Sequence, residues 1–527
     1  MEGAYCCSFI SENIVMNSTK SLRSIPASIW LLSLFFMGLT AIYGTQVPLN
    51  SDEALYWQHG RHLDWGFYTH PPMTGFLIHL STSLFGDTLL GIRIVSSFLG
   101  GLVLVLIYLI SWETTRDRYV SSVSVFIYLL LPMSFGLGVL MVTDVPLLFF
   151  HTCFVFFLRR AIIDESRFSW LLAGLTGGLM MQSKFLGAVT LPGILLFFLF
   201  NSKYRKCLLQ IMPYLGLLVS LFVLIPFAFW NQQNDWINLQ FLFKIRTQDD
   251  RFSYENLVSF LISFFVVYTP VFSLLLLTAL LKNLFRQQQD PAGGGETKDS
   301  LILFSWIHAG VFGAYTILSL RHPFGAHWLA SLQPLSAVLL AYFLVHFAKY
   351  PVFFRWVRVM GVVFCVPLTF AIYVAILHPQ LLPDQWRYMQ TIHDEPKPLS
   401  HYFGWEQVGK HVAGLLEENK GEARNIFLSS KDYGLASLLS FYTPGQPDYA
   451  LFGYEEAMHG REYLEWSRPL QVERGDTLMV SDSPNTFREL QSVYDEVLPL
   501  EPLEVRDEGG LMRIFYFHLG IRMLENP

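Results

Sequence analysis

Two carboxylates stand side by side, Asp52 and Glu53, near the start of the stretch NSDEALYWQHGRHLDWGFYTHPPM that runs from Asn50 to Met73. An apolar run long enough to cross a bilayer comes directly before them. Ionisable groups at the end of a membrane helix are costly to place there, which makes them functional candidates by default. Adjacent residues do not share a helix face, so the pair is expected to divide the work. One carboxylate would face a reacting hydroxyl and the other a metal ion, an arginine or the backbone; a helix cap is the plain alternative. Tyr56, Trp57, Trp65, Phe67 and Tyr68 accompany them, and such rings either lie at the headgroup level or stack on sugar faces. The stretch closes on His70-Pro71-Pro72, where proline restricts its own backbone and its predecessor's. His70 would bind a phosphate, hold a metal or cap the turn.

A second set of chemistry-bearing residues lies further along the chain. Asp144 sits in VTDVPLLFF, where a lone carboxylate is expensive unless it faces a cavity; it is expected to position a substrate or a cation beside Asp52. Lys184 interrupts apolar sequence in MMQSKFLG, Arg246 and Arg251 follow WNQQNDW, and Arg321, His322 and His327 fall in SLRHPFGAHW. Such cations together would neutralise the phosphate or diphosphate of a lipid-linked ligand by charge-assisted hydrogen bonds. Snorkelling to anionic headgroups is the alternative for any one of them.

The elements that must position these residues are membrane helices. Of the 527 residues 52% are hydrophobic and only 15% charged, and the mean hydropathy is +0.39. Soluble proteins carry about 25% charged residues, so the composition is that of a polytopic membrane protein. The formal net charge of −6 and the lack of a basic tract exclude a nucleic-acid partner. Five scattered cysteines form neither a disulfide framework nor a zinc-finger spacing. No Walker A, Rossmann, HExxH or GxSxG motif occurs, which argues against ATP-driven transport and serine hydrolysis.

Runs of about 20 apolar residues span a bilayer. The sequence predicts eleven, at about 25–44, 89–111, 119–136, 139–158, 168–182, 185–201, 209–230, 257–281, 301–319, 327–347 and 352–377, with thirteen as the upper count. Lys and Arg concentrate in alternate connections: 20–23, 116–118, 159–167, 203–206, 282–298 and 349–358. By the positive-inside rule that set is cytoplasmic. The 45–88 loop, Lys184, the 231–256 loop, Arg321 and the C-terminus then face outside. Residues 1–24 form a cytoplasmic N-terminus, in which 1–15 read as an extension ahead of a second start at Met16. The segment 282–300, KNLFRQQQDPAGGGETKDS, reads as a flexible cytoplasmic linker. From 378 the composition becomes that of a soluble α/β domain, with HVAGLLEE as helix and NIFLSS, DTLMVSD and MRIFYFHL as strands. No inverted repeat of the transporter kind is visible.

The segment SDEALYWQHGRHLDWGFYTHPPMTGFLIHLSTSLFGDTLLGIRI resembles the first outer loop of the polyprenyl-phosphate-dependent glycosyltransferases of GT-C fold. These include the protein O-mannosyltransferases and the lipid A aminoarabinose transferases. The resemblance continues in TDVPLLFF, GLTGGLMMQSKFLGAVTLPGILLF, PFAFWNQQNDW and HPFGAHW, in the same order, and in the Gly404-Trp405 pair that opens the outer domain. It implies a GT-C membrane region with Asp52 as catalytic base, Glu53 from the same acidic pair and Asp144 at the second outer acidic position. It places Lys184 and His70 in the donor pocket. The aminoarabinose transferases carry Lys before the double proline where this chain has His70, so the likeness does not extend to the aminoarabinose substrate. No loop is long enough for the β-trefoil insertion of the protein mannosyltransferases.

The expectation is an inverting glycosyltransferase that moves a hexose or pentose from a polyprenyl-phosphate donor to an envelope acceptor. That acceptor would be lipid A or lipopolysaccharide, another glycan, or a protein, at the periplasmic face of a bacterial inner membrane. Tyr56, Arg246, Arg321 and His327 would join His70 and Lys184 around the donor sugar and phosphate. No motif calls for a cofactor; Glu53, Asp144 and His70 are the residues that would take a divalent cation. A transporter or flippase of lipid-linked sugars is the rival reading, and it needs access from both faces, whereas the polar residues cluster on one.

Overall fold

Lipid offers no hydrogen-bond partners, so apolar runs fold as helices that satisfy their backbone within one segment. The computed structural model describes residues 23–241, 252–289, 295–346, 402–419, 426–451, 475–483, 490–507 and 509–524, with single positions at 244, between 355 and 389 and between 460 and 466. The helices begin with α1 (Ala27–Gly44), α2 (Ser51–Arg61), α3 (Met73–Phe85), α4 (Leu89–Thr115), α5 (Arg118–Leu130), α6 (Pro132–Val139), α7 (Asp144–Ile162) and α8 (Arg167–Ser183). They continue with α9 (Leu191–Phe200), α10 (Met212–Gln233), α11 (Tyr254–Tyr268), α12 (Pro270–Gln289), α13 (Glu296–Ser319), α14 (Gln333–His346), α15 (Trp405–Asn419) and α16 (Tyr433–Tyr442). The chain divides into two compact units: 1–43, 93–229 and 249–369 make one, and 44–92, 230–248 and 370–527 the other.

Among the described residues six helices are long and apolar enough to cross a membrane, or eight if each of two bent pairs is one span. The eleven full-length spans expected are therefore not matched among the described residues. The predicted span at 119–136 is α5 and α6, bent by 73° where Leu131 turns extended before Pro132. The predicted span at 257–281 is α11 and α12, bent by 101°. At that corner Thr269 takes φ 62° ahead of Pro270, a backbone cost of about 1–3 kcal/mol. The 168–182 and 185–201 segments fold as the 17-residue α8 and the broken stretch Phe185–Phe200, and 352–377 lies mostly outside the described residues. The supposed linker is also shorter than expected: α12 runs to Gln289, and α13 begins at Glu296.

The first unit is held by small residues and by paired charge. A Cβ on Gly310 of α13 would lie 2.1 Å from the Gly193 nitrogen of α9, so the two helices touch backbone to backbone. This is the close approach that small residues allow in membranes. Arg159 is fully buried on α7 and is bound on several sides. It donates to Asp164 Oδ2 at 2.5 Å, to Ser300 Oγ at 3.1 Å and to the Glu113 carbonyl at 2.8 Å, with the Glu113 carboxylate 3.6 Å away. On α13, His308 Nε2 lies 2.8 Å from Ser336 Oγ, which donates in turn to the Tyr268 hydroxyl at 3.1 Å.

The second unit carries the sheet. Its order is β2-β1-β3-β6-β4, with β5 also on β6, where β1 is Ile426–Ser430, β2 Tyr449–Leu451, β3 Asp476–Ser481, β4 Tyr494–Pro499, β5 Leu503–Asp507 and β6 Gly510–Met523. β1 runs parallel to β2 and β3, whereas β6 is antiparallel to β3, β4 and β5. The three strands and the helix expected from sequence are β1, β3, β6 and α15. The 45–88 segment, grouped by sequence with the membrane region, packs in this unit.

Replacing Arg159 with Ala would take the buried cation away from Glu113 and Asp164 and leave Arg160, 3.6 Å from Glu113, to match them. We expect a loss of about 3–5 kcal/mol, read as a lower thermal midpoint of the detergent-solubilised protein; an unchanged midpoint would show that the network contributes nothing.

Candidate active site

The stretch expected as a loop from Asn50 is in its first half a helix, and its start is fixed by a reciprocal cap. Asn50 Oδ1 accepts the Glu53 backbone N–H at 2.9 Å. Glu53 Oε2 accepts in return from the Asn50 backbone N–H at 3.4 Å and from its side-chain amide at 3.1 Å. This capping box satisfies two orphan donors at the helix end. Glu53 is fully buried and is engaged by these bonds, the helix cap that stood as the plain alternative for the acidic pair. Asp52 is exposed in the first turn of α2, where the helix dipole favours a carboxylate.

Asp52, Tyr56 and His59 are spaced i, i+4 and i+7, and so share one face of α2. Tyr433, the first residue of α16, donates its hydroxyl to Asp52 Oδ1 at 3.4 Å. The two helix starts approach so closely that a Cβ on Gly434 would lie 2.7 Å from Ser51 Cβ. Burial, and then the charge of Asp52, push the Tyr433 hydroxyl above the ordinary tyrosine range, which keeps it a donor. Tyr56 meets the His70 ring edge-on at 5.4 Å, and His70 Nδ1 lies 2.8 Å from Thr69 Oγ1.

Behind these lies a pair that sequence reasoning missed. His59 Nε2 is 3.8 Å from Glu462 Oε1, with the two side chains 1% and 7% exposed. The His59 ring stacks on Phe67 at 3.7 Å and meets Trp466 edge-on at 6.0 Å. Trp466 also stacks on His62 at 4.6 Å, and the Arg461 guanidinium lies 5.7 Å over Tyr68. Burial, and secondarily His62, lower the His59 imidazole to about 3. Burial raises the Glu462 carboxyl to about 7, although the N–H groups of Tyr68 and Thr69 partly oppose the rise. Those N–H groups act from outside hydrogen-bond geometry, since neither Glu462 oxygen has a bonded partner among the described residues. At the far end of α2, Trp57 Nε1 donates to Asp87 Oδ1 at 2.8 Å. Asp87 lines an open cleft of about 490 Å³ with Glu406, Lys410, Phe441 and the turn 442–446.

In the first unit, Asp144 opens α7 and is 5% exposed. Lys184 ends α8 in an extended conformation, and its ammonium donates to both Asp144 oxygens at 2.9 and 2.8 Å. His327 Nε2 lies 3.8 Å from Asp144 Oδ2. The structure therefore brings together three residues the sequence named separately. It also changes the expectation for Lys184, whose charge is matched by a carboxylate. Arg321 is exposed in the turn after α13, and among the described residues it joins no ion pair. Arg246 and Arg251 lie outside the described residues. Among the described residues no three His, Cys, Asp or Glu side chains gather where a metal ion could sit.

The two titrations of the buried pair have opposite signs. Glu462 is raised in the fold, so its contribution is present below its unfolded value of 4.5 and lost as pH rises through about 7. His59 is lowered, so its contribution is present above 6.5 and lost as pH falls toward about 3. Glu462→Gln, which cannot ionise, should gain thermal stability over the wild type progressively as pH rises from 5 to 8. A pH-independent difference between the two midpoints would refute the buried acid.

Comparison with known proteins shows what the chain is similar to. Residues 69–230 match the family model described as dolichyl-phosphate-mannose-protein mannosyltransferase. An undecaprenyl phosphate-alpha-4-amino-4-deoxy-L-arabinose arabinosyl transferase of Sodalis glossinidius is 30% identical over 32% of this chain. The match spans about a third, 34%, of that relative's length. A lipid A galacturonosyltransferase, RgtD of Rhizobium johnstonii, is 23% identical over 82% of this chain and 86% of its own. The crystal structure of ArnT from Cupriavidus metallidurans in the apo state superposes with a TM-score of 0.62 at 12% identity, covering 93% of this chain and 98% of that one. Its undecaprenyl phosphate complex gives 0.61. The chain therefore shares the fold of ArnT, and in sequence it is similar to polyprenyl-phosphate-dependent glycosyltransferases, over residues 69–230 for the family model and over most of its length for RgtD.

Proposed function

We propose that this chain is an inverting glycosyltransferase that moves a sugar from a polyprenyl-phosphate donor to a hydroxyl of an envelope acceptor, with lipid A as the favoured class. The observation that carries the reading is Asp52: an exposed carboxylate on the first turn of a capped helix, oriented by the Tyr433 hydroxyl. In the proposed step the acceptor hydroxyl gives its proton to Asp52 while its oxygen bonds to the anomeric carbon. The bond from that carbon to the phosphate oxygen breaks, and polyprenyl phosphate leaves with the electron pair. A phosphate is a good leaving group, so no acid of the glycosidase kind is needed; fixed positive charge stabilises it instead. His327, half-exposed beside the Asp144–Lys184 pair, together with Arg321 and Arg246, is proposed for that charge, with Tyr56 and His70 toward the sugar. Asp144 would then set the Lys184 ammonium in place rather than bind a cation.

The likeness to RgtD, named as a lipid A galacturonosyltransferase, supports lipid A over protein as acceptor in a bacterial inner membrane, and the alternation of Lys and Arg along the sequence supports a site on the periplasmic side. His70, in place of the lysine of the aminoarabinose transferases, favours a sugar without that family's amine. Asp52→Asn should lower transfer from a purified polyprenyl-phosphate sugar by about 10²–10⁴-fold in detergent, where a flippase has no compartments to serve. A folded variant that keeps the wild-type rate would end this assignment.

A further inference from the structure

The buried pair behind α2 has no use in the step just described. His59 Nε2 and both Glu462 oxygens are shielded from solvent and lack hydrogen-bond partners among the described residues. Leaving a polar group so costs about 1–3 kcal/mol, and a fold seldom keeps two such atoms, His59 Nε2 and Glu462 Oε1, 3.8 Å apart without a reason. Their position suggests one. His59 shares the α2 face that carries Asp52 and Tyr56, and Glu462 acts electrostatically on Tyr433, the residue that donates to Asp52. Gly460, with φ 87°, lets Tyr433 pack against the turn that bears Glu462: a Cβ there would lie 2.4 Å from Tyr433 Cβ.

We propose that Glu462 is a positioning residue for Asp52, its carboxyl bridging His59 of α2 and the Tyr433 side chain so that both helix starts hold the base toward the acceptor. This rests on the transferase reading above. The groups around the carboxyl are His59 of α2, Tyr68 and the Thr69 N–H of the following turn, Tyr433 of α16, and Tyr463 and Glu465 beside it in its own turn, with His62 acting on His59 and Arg461 lying over Tyr68. Burial favours its neutral form, in which it donates to His59 Nε2 once the 3.8 Å gap tightens. Ionisation removes that donor and puts a second negative charge near Tyr433.

The test is the pH profile of kcat for the full-length protein, with donor KM determined alongside. The wild type should lose kcat as pH rises through about 7. Glu462→Gln should abolish that decline, because an amide donates at every pH. Glu462→Ala should lower kcat about tenfold, the worth of one hydrogen bond, with donor KM little changed. Infrared difference spectra should show a protonated-carboxyl band in the wild type that is missing from Glu462→Gln. A Glu462→Ala protein with wild-type kcat, a Glu462→Gln protein that keeps the decline, or the absence of that band would each overturn the proposal while leaving the transferase intact. A wild type that binds donor and transfers nothing would defeat the transferase reading, and this inference with it.

Discussion

One reciprocal pair of hydrogen bonds, between Asn50 and Glu53, fixes where α2 starts, and most of the site depends on that start. A helix advances about 100° per residue, so a start displaced by one position would turn Asp52, Tyr56 and His59 to another side. The cap costs the chain a buried carboxylate and returns a rigid first turn. Tyr433 can then reach Asp52 because Gly434 lets α16 come within contact of Ser51.

Buried charge is handled in two ways, although the second unit also holds a matched pair, Arg513 with Asp482. In the first, charges are kept and matched: Asp144 with Lys184, Arg159 with Glu113 and Asp164, and Lys203 with Asp299, which also accepts the Tyr204 hydroxyl. Low-dielectric surroundings make an unmatched ion prohibitive there. In the second, the His59–Glu462 pair avoids charge, and burial drives both groups toward their neutral forms. Matched ions fix geometry at every ordinary pH. A neutral acid facing a neutral imidazole can change state near physiological pH, and that makes it the responsive element of the two.

The family match runs from 69 to 230 and includes His70, Asp144 and Lys184, but it stops short of Asp52 at one end and of Tyr433 and Glu462 at the other. The family model thus covers only part of the membrane region, whereas the likeness to RgtD runs over 82% of the chain. The residues around Asp52 come from the first polar segment and from the sheet-bearing domain, outside the span of that model.

Composition and hydropathy by themselves determined that this is a polytopic helical membrane protein with a separate α/β domain, since desolvation of the backbone leaves no other solution in lipid. They also singled out Asp52, Glu53, Asp144 and Lys184, because isolated charges in apolar sequence are costly and therefore visible. Span integrity was not legible: the 101° corner at Thr269 lies within a run that hydropathy reads as continuous. Nor was it legible which of the two acids is engaged in the cap, since Glu53 and not Asp52 makes the reciprocal bonds with Asn50. The partners of Asp144 and Asp52 were decided only by tertiary structure. Lys184 lies 40 positions away and Tyr433 381, and no local periodicity records a contact that chain folding alone creates.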